Sequence, residues 1–92
     1  MADGGSLTVV VRYFAAARAA AGVSEEKLTM PAPATVADVL RAAVDSHGAA
    51  LERVLARCSY LLEEVAVHAA NAGTAAVADG NSLDVLPPFA GG

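Results

Sequence analysis

The groups in this chain that could take part in covalent chemistry are few, and the most distinctive close the sequence: Leu86-Pro87-Pro88-Phe89-Ala90-Gly91-Gly92. Gly91 and Gly92 lack a Cβ, so they can adopt backbone angles closed to other residues and pass where a side chain would collide. With Gly92 as the terminal residue, the group on offer is an α-carboxylate. It is anionic, hence a poor acyl donor, and must be activated before a nucleophile can attack it. A diglycine alone is weak evidence, because termini are commonly Gly-rich and frayed. Its neighbours strengthen it: Pro87 and Pro88 cannot donate ladder hydrogen bonds, so a strand running to Leu86 must stop there. The six residues beyond Leu86 reach roughly 20 Å when extended, enough to enter another protein's pocket.

The other reactive residue types read as structural. His47 and His68 have no Cys, His or carboxylate at ligand spacing, so no metal site is expected. Cys58 has no recognisable basic partner and reads as an incidental or buried thiol. Glu25-Glu26 and Glu63-Glu64 are adjacent carboxylates whose side chains diverge in extended structure, and solvated turns explain them better than acid/base catalysis. No Gly-rich phosphate loop follows a strand, so the chain is not expected to hold ATP alone, and nothing resembles a catalytic triad.

Ninety-two residues make a single domain, 1–92, with one modest core, and 87–92 as its extended tail. Over half of the residues are apolar, only four are aromatic and none is Trp, so the core is expected to be small and aliphatic. A net charge of −4 without a Lys/Arg cluster argues against a nucleic-acid or anionic-membrane surface and suits a partner with a basic face. No apolar run approaches the roughly 20 residues of a membrane-spanning helix. A single cysteine and an N-terminus with neither a basic region nor a long apolar stretch make the reducing cytoplasm the expected compartment.

The elements that must position the tail follow from periodicity. Residues 7–14 alternate and are rich in β-branched types, with Leu7, Val9, Val11 and Tyr13 on an inward face and Thr8, Val10, Arg12 and Phe14 on the other. Residues 15–21 are Ala-rich and helical, closed by Gly22. A second strand over 25–30 turns Leu28 and Met30 inward. Thr35 and Asp38 resemble a capping box, opening a helix whose Val36, Val39, Leu40, Ala43 and Val44 form one apolar stripe. Leu51, Val54 and Leu55 suggest a further helical turn or two. Two short strands meet at Glu63-Glu64, residues 69–78 have no clear period, and Asp79-Gly80 turns into the last strand, whose Leu83 and Val85 face inward. The order is α+β, a helix on one face of a mixed sheet; pattern alone admits a β-grasp or a ferredoxin-like arrangement. Were the first and last strands neighbours, Phe14, Leu86 and Phe89 would meet as an exposed apolar patch at the root of the tail.

The ending Leu86-Pro87-Pro88-Phe89-Ala90-Gly91-Gly92 and the opening strand with Tyr13-Phe14-Ala15 resemble the ubiquitin-like sulfur carriers, most closely the small subunits of molybdopterin synthase. The resemblance implies a β-grasp fold and no cofactor of the chain's own. It implies a partner adenylyltransferase that uses ATP to form an acyl-adenylate at Gly92, with Gly91 beside it. A persulfide sulfur donor then yields a thiocarboxylate. A synthase large subunit takes that end, in a heterotetramer, to sulfurate precursor Z (cyclic pyranopterin monophosphate). Phe14, Leu86, Pro87, Pro88, Phe89 and Ala90 are the expected docking residues. Carriers for thiamine or cysteine synthesis, a ubiquitin-like modifier joined through Gly92 to lysines, and a passive β-grasp module stand as alternatives.

Overall fold

The computed structural model describes residues 5–88. Strand β1 (Ser6–Tyr13) buries Leu7, Val9, Val11 and Tyr13 on one face and leaves Thr8 half-exposed with Val10 and Arg12 on the other. Phe14 is still extended, and helix α1 (Ala15–Ala21) starts directly after it. Gly22 ends α1 at φ 80°, a left-handed angle that costs glycine nothing, and donates its N–H to the Arg18 carbonyl at 2.9 Å. Strand β2 (Glu25–Pro31) returns antiparallel to β1, setting Leu28 opposite Val9 and Met30 opposite Leu7.

After the two-residue strand β3 (Ala34–Thr35), helix α2 (Val36–His47) opens on a full capping box. The Asp38 N–H donates to Thr35 Oγ1 at 3.3 Å and the Thr35 N–H donates to Asp38 Oδ2 at 2.9 Å. Its Val36, Val39 and Ala43 are buried, with Leu40 and Val44 packed beside them. Gly48 separates α2 from helix α3 (Ala49–Leu55), which sends Leu51 and Leu55 into the same core. Strands β4 (Ser59–Leu62) and β5 (Val65–Val67), a 3-10 turn (Ala69–Asn71), strand β6 (Ala76–Val77) and strand β7 (Ser82–Leu86) complete the chain.

The main sheet has the order β2-β1-β7-β4-β5, with β1 and β7 parallel and the other neighbours antiparallel; β3 and β6 form a small separate ribbon. The inward residues of the sheet form one cluster with the apolar faces of the helices. First and last strands as parallel central neighbours, with the helices on one face, make this a β-grasp and dispose of the ferredoxin-like alternative.

The main helix is α2, as expected, and the shorter α1 and α3 lie at the Ala-rich run and at the Leu51–Leu55 turns that the sequence marks as helical. Two readings gain detail from the structure. The aperiodic residues 69–78 act through their backbone: the Ala75 and Ala72 carbonyls accept the N–H groups of Val36 and Ala37 at 2.9 and 3.0 Å, satisfying the first turn of α2. Glu26, read as a solvated turn residue, lies within β2 on the inward side, where its Oε2 accepts the Tyr13 hydroxyl at 2.5 Å and meets His47 Nε2 at 2.7 Å. This contact ties the end of α2 to the sheet. Glu63 and Glu64 do form the turn between β4 and β5, both at left-handed angles, φ 48° and 69°. Glu63 is more than solvated, because its carboxylate accepts the Ser82 N–H at 2.6 Å and so pins the start of β7.

Burial and the Glu26 contact push the Tyr13 phenol well above its ordinary value, and burial pushes Tyr60, whose hydroxyl donates to the Leu55 carbonyl, up to about 12. Both groups hold their proton in the folded state at a pH where the unfolded chain loses it, so their contribution is complete below pH 10 and declines above it. Each should subtract about 1.4 kcal/mol per pH unit between pH 10 and 12. Urea melts at pH 8, 10 and 11 should show a flat first step and a steep second one; equal stability at pH 8 and 11 would contradict the burial of both phenols.

Candidate functional site

Strand β7 occupies the middle of the sheet, paired on one side with β1 (Val85 opposite Tyr13) and on the other with β4 (Leu86 opposite Ser59). Leu83 and Val85 are fully buried, so the strand is fixed to its last residue. Pairing then ends, and Pro87 and Pro88 are exposed, as their missing N–H groups require. A buried, doubly paired strand thus releases the chain at one defined point.

Beside that point lies a groove of about 440 Å³. Phe14 and the first turn of α1 form one wall; Arg53 and Val54 from the end of α3, with Arg57 and Cys58 just beyond it, form the other; Pro87 and Pro88 also line it. Phe14 is 40% exposed and is anchored through its backbone, its N–H donating to the Val85 carbonyl at 3.0 Å. Strand parity had put Phe14 on the outer face with Thr8 and Arg12. The strand ends at Tyr13, however, and the turn into α1 brings the ring to the groove at the α1–α3 side. The structure therefore joins Phe14 to Pro87 and Pro88. Leu86, half-buried on the parity of Asp84, does not line this groove. Phe89, Ala90, Gly91 and Gly92 lie outside the described residues.

Two groove residues escaped the sequence reading. Arg53 near the end of α3 and Arg57 in the turn after it both line the groove, and no acidic side chain is among the described residues that line it with them. Their i, i+4 spacing was visible, but the overall charge of −4 hides a local positive site. Cys58 is half-buried, its thiol donates to the Val54 carbonyl at 3.2 Å, and burial pushes its pKa up, which disfavours the thiolate. On the outer sheet face Arg12 and Asp84 form a two-bonded ion pair, Nε–Oδ1 2.7 Å and Nη2–Oδ2 2.9 Å, across the β1–β7 register. Among the described residues no cluster of three or more His, Cys, Asp or Glu side chains could hold a metal ion, and no helix is long and apolar enough to cross a membrane.

A β-grasp sheet with β1 and β7 as parallel central neighbours, and a chain that leaves β7 through two prolines, defines a ubiquitin-like domain. Residues 11–92 match the model of the ThiS family, and the chain belongs to that family. It is 30% identical over 86 residues to a Chlamydomonas reinhardtii protein named molybdopterin synthase sulfur carrier subunit, across 94% of this chain and 100% of that one. Among solved structures it is similar to the Haloferax volcanii HVO 2177 protein (TM-score 0.78, 29% identity, 100% of this chain and 92% of that one). It is also similar to SAMP1, from the same organism (TM-score 0.76, 30% identity, 92% and 99%).

Proposed function

We propose that this chain is the sulfur carrier subunit of a molybdopterin synthase, and that it contributes a reacting end where its partners contribute the catalytic groups. The observation that carries the reading is the release of a buried central strand at Leu86-Pro87-Pro88, directly ahead of Phe89-Ala90-Gly91-Gly92. A rigid domain and a narrow end are what delivery into an enclosed site demands. Contacts made by the domain surface hold the reacting carbon in place, which makes the reaction nearly intramolecular.

The chemistry runs in three steps. A partner adenylyltransferase lets the Gly92 carboxylate attack the α-phosphate of ATP; pyrophosphate leaves and an acyl-adenylate remains. Sulfur from a persulfide donor attacks the acyl carbon, AMP leaves, and reductive cleavage of the sulfur–sulfur bond by a thiol gives the thiocarboxylate. The thiocarboxylate end enters the large subunit and donates its sulfur to precursor Z. The chain binds no cofactor itself, and its partners are cytoplasmic proteins. Phe14, Pro87 and Pro88 act in docking through the groove wall, Leu86 through the outer sheet face, and Phe89 and Ala90 through the tail.

The test is intact mass. Protein from its own cells, with an untagged C-terminus, should carry the gain of one sulfur for one oxygen, and lose it on incubation with large subunit and precursor Z. A thiocarboxylate that persists in that incubation would keep carrier chemistry but assign another pathway, such as thiamine or cysteine synthesis. The likeness to SAMP1, a protein solved under the name small archaeal modifier protein 1, favours a second reading as a protein modifier. Chains linked to lysines through Gly92, with no sulfur-bearing form, would support that one instead.

Replacing Phe14 by Asp should weaken binding to the large subunit by about 2 kcal/mol, roughly 30-fold in Kd, because an exposed aromatic anchor becomes a charge. Melting should be little changed, since Phe14 holds its place by its backbone N–H. Titration calorimetry with the large subunit reads the first effect and thermal denaturation the second. Unaltered affinity would remove Phe14 from the docking surface.

A further inference from the structure

We infer that the groove between α1 and α3 docks an acidic segment of the synthase large subunit. That segment sets an aliphatic or aromatic side chain between Phe14 and Val54 and a carboxylate against Arg53 and Arg57. The choice of partner rests on the sulfur-carrier reading above; the chemistry of its contact comes from the groove. Charge is sorted along α3 and the turn after it. Glu52 lines the cleft toward α2 together with Arg41 and Asp45, whereas Arg53 and Arg57 line the groove toward α1. Among the described residues no acidic side chain lines that groove, and the ion pairs there join Arg12 to Asp84 and His47 to Glu26, not either groove arginine. A chain of net charge −4 thus carries a local positive spot beside apolar walls.

The apolar half of the groove is held in place by strain. Phe14 is 40% exposed, and Ala15 after it stands at φ 53°, a left-handed angle that residues with a Cβ rarely adopt. This turn brings Phe14 to the wall facing Val54. Strain that keeps a large apolar side chain partly in water contributes nothing to the free domain and points to an occupant. The charged half selects what that occupant carries. A guanidinium fork donates two hydrogen bonds to one carboxylate. A lone exposed ion pair is weak, but one beside an apolar contact that excludes water is stronger. A polyanion fits poorly, because the overall negative charge repels nucleic acid and anionic membrane alike.

The consequence is orientation. The chain's general acidity suits a basic partner face, and the groove requires the reverse sign at one place. A large subunit rotated so that a basic residue met Arg53 and Arg57 would face like charges, which oppose the contact. The groove thereby fixes how the partner sits next to Pro87 and Pro88, where the chain has left β7.

The experiment is titration calorimetry of the full chain against the large subunit, at low and at high salt, in four forms. These are the unaltered chain, Arg53→Glu with Arg57→Glu, Arg53→Lys with Arg57→Lys, and Lys27→Glu with Arg41→Glu. Lys27 and Arg41 are exposed and lie off the groove, so the last form changes net charge as much as the second without touching the site. At low salt the groove reversal should weaken Kd at least about 10-fold, while the lysine form and the remote reversal stay within about 3-fold. High salt should narrow the difference. Both groove arginines are exposed, so the fold should persist, and unchanged methyl signals from Val9 and Leu83 check that it does. Should the double reversal melt early, Arg57→Glu alone, in the turn after α3, should still weaken Kd about 3-fold. The Val54 methyl signals of the unaltered chain should shift when the large subunit is added. A groove reversal that binds like the unaltered chain, a remote reversal that loses as much, or unmoved Val54 signals would each overturn the inference. Sulfuration of the same samples separates the two readings. Normal sulfuration and binding in every form remove the acidic contact and keep the carrier, whereas an unaltered chain that neither binds the large subunit nor gives up sulfur to precursor Z removes both.

Discussion

A chain lengthened by one residue beyond Gly92 should form thiocarboxylate at least about 100-fold more slowly than the unaltered protein. The expectation follows from where β7 lets go. Leu83 and Val85 are fully buried and the strand is paired on both sides, so the domain cannot slide to accommodate a longer end. One added residue carries the terminal carboxylate about 3.5 Å further, while a displacement of about 1 Å can already cost on the order of 100-fold in rate. Gly92 itself becomes an internal amide, with no carboxylate oxygen to attack ATP. Mass spectrometry after incubation with activating enzyme, ATP and persulfide donor reads the result. A lengthened chain sulfurated at the normal rate would show that Gly92 is not the reacting residue.

The largest structural effect is expected at Leu51. It is fully buried, and with Leu55 it is what holds α3, a helix of seven residues, against the core. So short a helix has no stability of its own in water. Leu51→Ala should therefore remove about 2 to 5 kcal/mol, a large share of the roughly 5 to 15 kcal/mol typical of a domain. Thermal melting should fall by roughly 10 to 20 °C. Because Arg53 and Val54 lie on this helix and Arg57 in the turn that follows it, the groove should lose its wall before the sheet unfolds. Amide exchange should then rise first at residues 49–57. A loss below about 1 kcal/mol would mean that α3 contributes little to the core, and the groove could not be a defined site.

What could be read in advance was whatever depends on neighbours in the chain. The alternation of β1, the stripe of α2, the Thr35 capping box and the Gly22 terminus are local: each follows from a residue's own backbone preference or from contacts a few positions away. Residues 69–78 were not legible, because their work is done by the Ala72 and Ala75 carbonyls, which every residue type possesses.

The sequence by itself therefore determined the longer elements and their inward faces. Tertiary structure alone decided what pairs of distant residues do. It placed β7 between β1 and β4, so that the Phe14 N–H donates to the Val85 carbonyl, 71 positions further along the chain. It turned Phe14 from the outer face to the groove, where the helix begins one residue later. It brought Glu26 to Tyr13 and His47, and set Arg53 and Arg57 beside Pro88. These contacts are decided by how the helices settle on the sheet, a balance of packing over the whole core, and no local pattern of residues encodes it.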